Sequence, residues 1–208
     1  MTYDLSPTTD GRHARRERGR TAVSEAMIDL VFEGNIPPSP DQIAERAGVS
    51  IASLFRYFET LDDLRNETID IYFERHGHLF DIVDIGEGAL DGRIQNLVRS
   101  RATLYETTEP MGRLLRVRAN EVAAASDLLH RARVTRADQI RQHFDHELRP
   151  LSRARRDDLV VTIVTLTSFE SWDQMCNTHG RSHQQVRRAW TTALGQLLEA
   201  VRPSDEET

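Results

Sequence analysis

Residues 41–64 read DQIAERAGVSIASLFRYFETLDDL, and the order of residue types in this stretch decides the fold. Just upstream stands Ser39-Pro40-Asp41-Gln42. Ser39 can cap a helix, Pro40 suits its first position, and Gln42 can return a hydrogen bond to the cap. The helix that starts at Pro40 carries Ile43, Ala44 and Ala47 on one face, and Gly48 is the residue type that tolerates a left-handed stop. Val49 fills the corner. Ser50 can cap a second, shorter helix running from Ile51 to Phe58. Two helices joined by a glycine-containing turn within so short a span make a helix-turn-helix.

In such a unit the second helix enters the major groove of DNA and its first residues meet base edges. The outward set is Ile51, Ala52, Ser53, Phe55, Arg56 and Tyr57, with Leu54 and Phe58 turned into a small core. Arg56 is the direct reader, because a guanidinium can bond two acceptors of guanine. Ser53 can reach a base or a phosphate. Ile51, Ala52 and Phe55 offer apolar contact, for example to a thymine methyl. Tyr57 would hold a phosphate through its hydroxyl, and the capping residues Ser39 and Ser50 complete the DNA-facing set.

The same run resembles the signature of the TetR family of bacterial transcription regulators. That signature couples an "IAxxAGVS" helix and turn to an aromatic-rich recognition helix and then to a helix opening near "KEDL". The match covers roughly residues 14–75. Two positions depart from it. Leu61 stands where the family usually has a phosphate-binding Lys, and Ile51 stands where a polar or basic residue often opens the recognition helix.

Working outward, charge explains what compensates. All 27 basic side chains are arginines, with no lysine among them, and the formal net charge is −6. A lysine-free chain excludes Schiff-base chemistry, pyridoxal-phosphate anchoring and the P-loop lysine. Any phosphate must be gripped by arginine, hydroxyl or backbone N–H. Residues 1–60 hold 7 Arg against 9 acidic residues, and residues 61–208 hold 20 against 24. Within residues 12–20, however, Arg12, Arg15, Arg16, Arg18 and Arg20 face only Glu17. This cluster, at or near the start of the first helix, is the expected anchor on phosphates or in the minor groove, with Arg12, Arg15 and Arg16 as its contacts.

The remaining chain reads as helix. Residues 1–13 are expected as a flexible tail, 14–77 as the helix-turn-helix domain, 78–203 as a larger helical domain and 204–208 as a second tail. From Ala22, the rows Ala22/Ala26/Leu30 and Val23/Met27/Val31 mark a helix that Gly34-Asn35 ends. Thr60 caps a helix from Leu61 to about Gly77, expected to link the two domains. Asp84 to Gly92 breaks the pattern. Beyond it helices are expected at about 90–107, 110–119, 126–148, 153–178 and 182–201, punctuated by Pro110, Pro150 and Gly180. Val160 to Phe169 is rich in Val, Ile and Thr, but no partner strand exists in this half, so it is read as a helix buried on most sides, at the centre of a bundle or at a dimer interface. The fold class is therefore all-α, without a strand.

In the family resemblance the larger domain binds a small-molecule effector, and the last two long helices pair with a twofold mate. That implies a homodimer on a pseudo-palindromic double-stranded DNA operator, with Val161, Val164, Ser168, Trp190, Leu194 and Leu197 at the interface. The implied effector contacts are Arg101, Tyr105, Arg116, Phe144, Phe169, Trp172 and Met175, a mix suited to an apolar ligand with an anionic or polar end. A repressor is expected over an activator, since blocking polymerase needs only occupancy of the site.

Other classes find little support. Ile82 to Gly88 superficially resembles the glycine loop of methyltransferases and other nucleotide-binding folds, with Gly86 and Gly88 as its glycines, but a helical pattern follows where a second strand is required. His76 with His78, and His143 with His146 and Glu147, do not form the HExxH order of a zinc protease, so no metal site is expected. No GxSxG elbow occurs, and the lone Cys176 makes no disulfide and no triad, so no catalytic residue and no cofactor are expected. A helical DNA-binding protein without effector is the other reading. No signal peptide or membrane-length apolar run is visible, which points to a cytoplasmic protein with no membrane partner.

Overall fold

The computed structural model describes residues 8–201, with side chains from Gly11 onward except that of Arg12. The expected tail segments 1–7 and 204–208 lie outside the described residues. The chain divides into two compact units, the first running to His76 with Arg113–Leu115, the second comprising Gly77–Gly112 and Arg116 onward. The described residues form helices, turns and loops, without a strand.

The first unit contains α1 (Thr8–Phe32), α2 (Pro40–Ala47), α3 (Ile51–Tyr57) and α4 (Leu61–Arg75). Its core is the row the periodicity marks: Val23, Ala26, Met27, Leu30 and Val31 on α1 against Ile43, Ala44, Leu54, Phe58 and Leu64. Ala22, expected on that row, is exposed. Burying side chains such as Leu54 and Phe58 stabilises by about 1.5–3 kcal/mol each.

Local chemistry sets each boundary. Ser39 Oγ accepts from the Gln42 backbone N–H at 3.3 Å while Gln42 Oε1 accepts from the Ser39 N–H at 2.8 Å. Gly48 closes α2 in the left-handed region at φ 66°, where a side chain would be strained. Ser50 Oγ takes the Ser53 N–H, and Thr60 with Asp63 forms a reciprocal box at α4. α4 stops at Arg75, two residues short of Gly77.

α1 begins at Thr8, so residues 8–13, expected as tail, are helical. Nothing apolar marks this extension in the sequence; Gly11 and His13 are exposed, and His13 Nδ1 lies 3.8 Å from Glu17 Oε1.

The second unit begins with the turn Gly77–Phe80. Then come α5 (Leu90–Ala119), α6 (Ala123–His143), α7 (Asp145–Leu148), α8 (Arg153–Leu166), α9 (Phe169–Asp173), a wide turn at Gln174–Thr178 and α10 (His183–Glu199). Three of the expected helices differ from the sequence reading, the first being 126–148, which starts at Ala123, ends at His143 and leaves 145–148 to the separate α7. α5 runs through Pro110. A proline inside a helix costs roughly 3 kcal/mol, which burial of several residues such as Leu104, Tyr105 and Met111 on either side outweighs.

The expected helix 153–178 is broken at Thr167-Ser168. Thr167 Oγ1 donates back to the Ile163 carbonyl at 2.8 Å, Ser168 Oγ accepts from the Ser171 N–H at 3.1 Å to start α9, and Tyr105 Oη donates to the Thr167 carbonyl at 2.9 Å. Hydroxyl side chains here outcompete the helical ladder. In the single chain α8 leaves Val161 at 60% exposure, with Thr162 and Thr165 exposed beside it.

One buried polar cluster holds the loop before α5. Arg93 makes two bonds to Glu147, at 2.8 and 2.6 Å, and donates to the His143 carbonyl at 2.9 Å. The Gly86 N–H donates to His143 Nδ1 at 3.0 Å, and His143 Nε2 lies 2.8 Å from the Arg93 carbonyl. That pairing requires the neutral ring with the proton on Nε2. Burial, the largest influence, pushes His143 below the usual imidazole range. Gly86 and Gly88 both adopt positive φ, and no strand precedes them, so the resemblance to a nucleotide-binding loop ends at the sequence. No described helix is long and apolar enough to cross a membrane.

Candidate nucleic-acid interface and aromatic cluster

The short helix α3 presents the face the sequence implies. Ile51, Ala52, Phe55 and Arg56 are exposed, Ser53 and Tyr57 are half-buried, and Leu54 and Phe58 are enclosed. Exposed Ile51 and Phe55, at 37% and 43%, are apolar surface on a helix that already has a buried side. Arg56 Nη2 donates to Ser53 Oγ at 3.1 Å, so the two polar groups on this face sit together. Arg56 makes no ion pair among the described residues, and neither do Arg15, Arg16 and Arg18, all exposed on α1. The side chain of Arg12 lies outside the described residues.

Arg20 behaves differently from the rest of its cluster. Its Nη1 donates to the Tyr57 carbonyl at 2.9 Å, its Nε and Nη2 engage the Glu67 carboxylate, and its guanidinium carbon sits 4.5 Å from the Phe58 ring centre. It is thus removed from the expected phosphate anchor. Arg20 instead satisfies the end of α3 and fixes it against α1 and α4, a role requiring partners 37 and 47 residues away. Gly19 matters for the same reason: a Cβ there would lie 2.4 Å from the Tyr57 ring and hydroxyl. Tyr57 therefore packs on α1, which corrects the picture of a side chain extended only toward phosphate.

In the second unit five of the seven expected effector residues converge. Tyr105 contacts Phe169 at 5.6 Å and Trp172 at 6.1 Å between ring centres. The Arg116 guanidinium lies 3.8 Å from the Phe169 centre, and Gly112 lets that ring approach, since a Cβ would meet it at 3.0 Å. Arg101 is 1% exposed; its Nη2 donates to Gln139 Oε1 at 2.5 Å and its Nη1 has no partner. Phe144 belongs to other surroundings, 5.7 Å from the Arg93 guanidinium and 4.9 Å from the His143 ring. Met175 is half-buried in the wide turn, packed on the main core.

Charges in this cluster are unbalanced. Glu170 serves both Arg116, at 3.2 Å, and Arg133, at 3.1 Å. Burial pushes the Glu170 carboxyl up, but the Arg116 charge together with the hydrogen bonds it accepts outweighs that and holds it down at about 2. Burial lowers Arg101 to about 10, with Tyr105 opposing and Arg136 adding to the fall, so Arg101 keeps its charge at neutral pH. Arg136, which the sequence reading missed, lies 5.7 Å from the Tyr105 ring centre. Nothing in its sequence context separates it from the surface arginines around it.

The expected interface residues also divide. Trp190 and Leu194 are 0% exposed inside the single chain, so they have no surface to offer a mate, and their helical spacing marked the chain's own core instead. Trp190 stacks 5.9 Å from Trp172 and 6.3 Å from Tyr105. Ser168 spends its hydroxyl on the α9 cap. Val164 and Leu197 are half-buried, and Val161 stands out from α8.

With this geometry in view, the fold can be compared with known ones. No family model matches the sequence, and no curated protein matches it. Solved structures do. A transcriptional regulator from Rhodococcus sp. Rha1 superposes with a TM-score of 0.65 at 15% identity, over 90% of this chain and 99% of that one. The multidrug binding protein EbrR, complexed with imidazole, gives 0.50 at 18% identity over 93% and 98% of the two chains. A protein from Mesorhizobium loti MAFF303099 assigned to the TetR family of transcriptional regulators gives 0.51 at 16% identity over 91% and 98%. The fold class is a helix-turn-helix unit followed by a larger all-helical unit. The chain shares this fold with the three proteins, one of them assigned to the TetR family, and the motif at residues 41–64 lies in its helix-turn-helix unit.

Proposed function

We propose that this protein is a sequence-specific DNA-binding transcription regulator, a homodimeric repressor that a small-molecule effector releases from its operator. The carrying observation is α3: a capped helix with Leu54 and Phe58 locked inside and Ile51, Ala52, Phe55 and Arg56 left outside. An apolar and guanidinium face on so short a helix fits base edges in a major groove, with Arg56 on guanine and Ile51 or Phe55 near a thymine methyl. Ser53 sits beside Arg56, and Ser39 and Ser50, at the helix starts, lie where phosphates would run. Exposed Arg15, Arg16 and Arg18, with Arg12 on the same segment, supply the phosphate attraction that Leu61 cannot.

Dimerisation supplies the second half-site. Exposed Val161 with half-buried Val164 and Leu197 supports a mate on α8 and α10, and small or polar neighbours such as Thr162 and Thr165 allow close approach. The effector would act by binding better to a conformation whose recognition helices are misplaced for DNA. The cluster around Tyr105 is its site in this reading, and the multidrug binding and imidazole complex of EbrR are consistent with a small-molecule role for the second unit. Binding to DNA implies a cytoplasmic protein.

The test is selection from a random duplex pool. The expected result is enrichment of a twofold-symmetric sequence with half-sites about one helical turn apart. Recovery of a pool indistinguishable from the input would overturn the reading.

A further inference from the structure

The polar groups left unmet around Tyr105 share one character. Arg101 Nη1, Trp172 Nε1 and Trp190 Nε1 are buried donors without a partner, and no buried side-chain acceptor of the cluster is left in that state among the described residues. Arg101 is 1% exposed, and neither it nor Arg136 has an ion pair among the described residues. Taking a charge out of water costs several kcal/mol unless an opposite charge meets it. At Arg93, 6% exposed in the same unit, that requirement is fulfilled by Glu147. Around Tyr105 four guanidiniums, of Arg101, Arg116, Arg133 and Arg136, share the carboxylate of Glu170, which reaches only Arg116 and Arg133. What is missing is a negative acceptor, and the walls beside it are aromatic.

We propose that the second unit binds a small organic carboxylate, one oxygen on Arg101 Nη1 and the charge shared with Arg136, its apolar body against Tyr105 and Trp172. This rests on the reading of that unit as the effector-binding one and names the chemical class of the effector. A carboxylate completes the coordination of a planar guanidinium and gains most from it where water is excluded. The indole N–H groups of Trp172 and Trp190 are unmet donors in the same aromatic cluster. Cationic ligands are disfavoured by the same charges.

Both tryptophans of the chain, Trp172 and Trp190, lie in this cluster, so intrinsic fluorescence reports on it directly. The full-length protein is titrated with acetate, benzoate and octanoate, with the corresponding neutral amides, and with inorganic phosphate at constant ionic strength. The expected result is a saturable fluorescence change with benzoate or octanoate and at least about tenfold weaker binding of the matching amide, a 1.4 kcal/mol difference. Arg101→Met should abolish the change, and the half-buried Arg136→Gln should weaken binding several-fold while leaving the circular dichroism spectrum intact. Amides that bind as well as the acids overturn the proposal, as does a protein that saturates with phosphate but with no carboxylate. A carboxylate that binds through Arg101 without altering affinity for the selected duplex leaves this site standing and contradicts the effector reading. DNA release by a neutral compound, with no carboxylate bound, does the reverse.

Discussion

The two units use the same cation in opposite ways. In the first, the arginines that meet partners do so at carboxylates, Arg20 at Glu67, Arg46 at Glu33 and Arg75 at Glu25, and the arginines without ion pairs, Arg15, Arg16, Arg18 and Arg56, are on the outside. In the second, Arg93 and Arg187 are paired, while Arg101 is enclosed without a carboxylate and Arg136 stands half-buried beside it. An unpaired exposed arginine remains hydrated and suits a polyanion that arrives through water and salt. An unpaired enclosed arginine has already lost its water and suits a small anion that replaces it. The position of the unpaired charge, more than the number of charges, separates a surface for DNA from a site for a ligand.

If that distinction holds, removing a paired and an unpaired buried arginine should have opposite consequences. Arg93→Ala leaves Glu147, at 4% exposure, without its partner and should destabilise the fold by about 3–5 kcal/mol in urea denaturation. Arg101→Met should leave the ligand-free protein as stable as before or more so, because removing a buried charge that no carboxylate meets outweighs the loss of its bond to Gln139. A large loss of stability on Arg101→Met would mean that its bond to Gln139 outweighs the cost of burying the charge.

On the outer surface, salt tells the hydrated arginines from the bonded one. Replacing Arg15, Arg16 and Arg18 together by Ala should reduce the slope of log K against log salt by about 0.9 for each phosphate no longer neutralised, without changing the thermal midpoint. Arg20→Ala should do the opposite, lowering the midpoint through loss of its bonds to Tyr57 and Glu67. An unchanged slope in the triple variant would take the anchor away from α1.

The smallest effect concerns pH. Glu170 is held below its ordinary value of 4.5, at about 2, so the folded state binds its proton later than the unfolded chain. Its stabilisation is present in full above pH 4.5 and is lost as pH falls toward 2. Glu170→Gln should flatten the dependence of the urea midpoint in that window, modestly, because half the side chain is in solvent. An identical pH profile in the variant would show that the Arg116–Glu170 pair contributes nothing to stability.

Legibility followed the range of the interactions. The caps at Ser39, Ser50 and Thr60 and the left-handed Gly48 act within four residues, and each stands where the sequence places it. The outward face of α3 followed from the same short-range pattern. By contrast, the inward turn of Arg20, the helix break at Thr167 and the core position of Trp190 depend on Glu67, Tyr105 and Trp172, which sequence spacing does not bring together. Pro110 signalled a stop by local rules, and tertiary packing overrode it. At the cluster around Tyr105 the sequence reading grouped Tyr105, Phe169 and Trp172, but it set Trp190 at the interface and missed Arg136, since an arginine's partner is a matter of what else folds next to it.

Reading of DNA by α3 through Arg56 is the claim on which the rest depends. It is tested most directly by measuring, by fluorescence anisotropy, the affinity of wild type and Arg56→Ala for the selected duplex and for a scrambled duplex of equal length. Arg56→Ala should lose about 1–3 kcal/mol per half-site on the selected duplex while its affinity for the scrambled one changes little. Equal losses on both duplexes, or none on either, would contradict it.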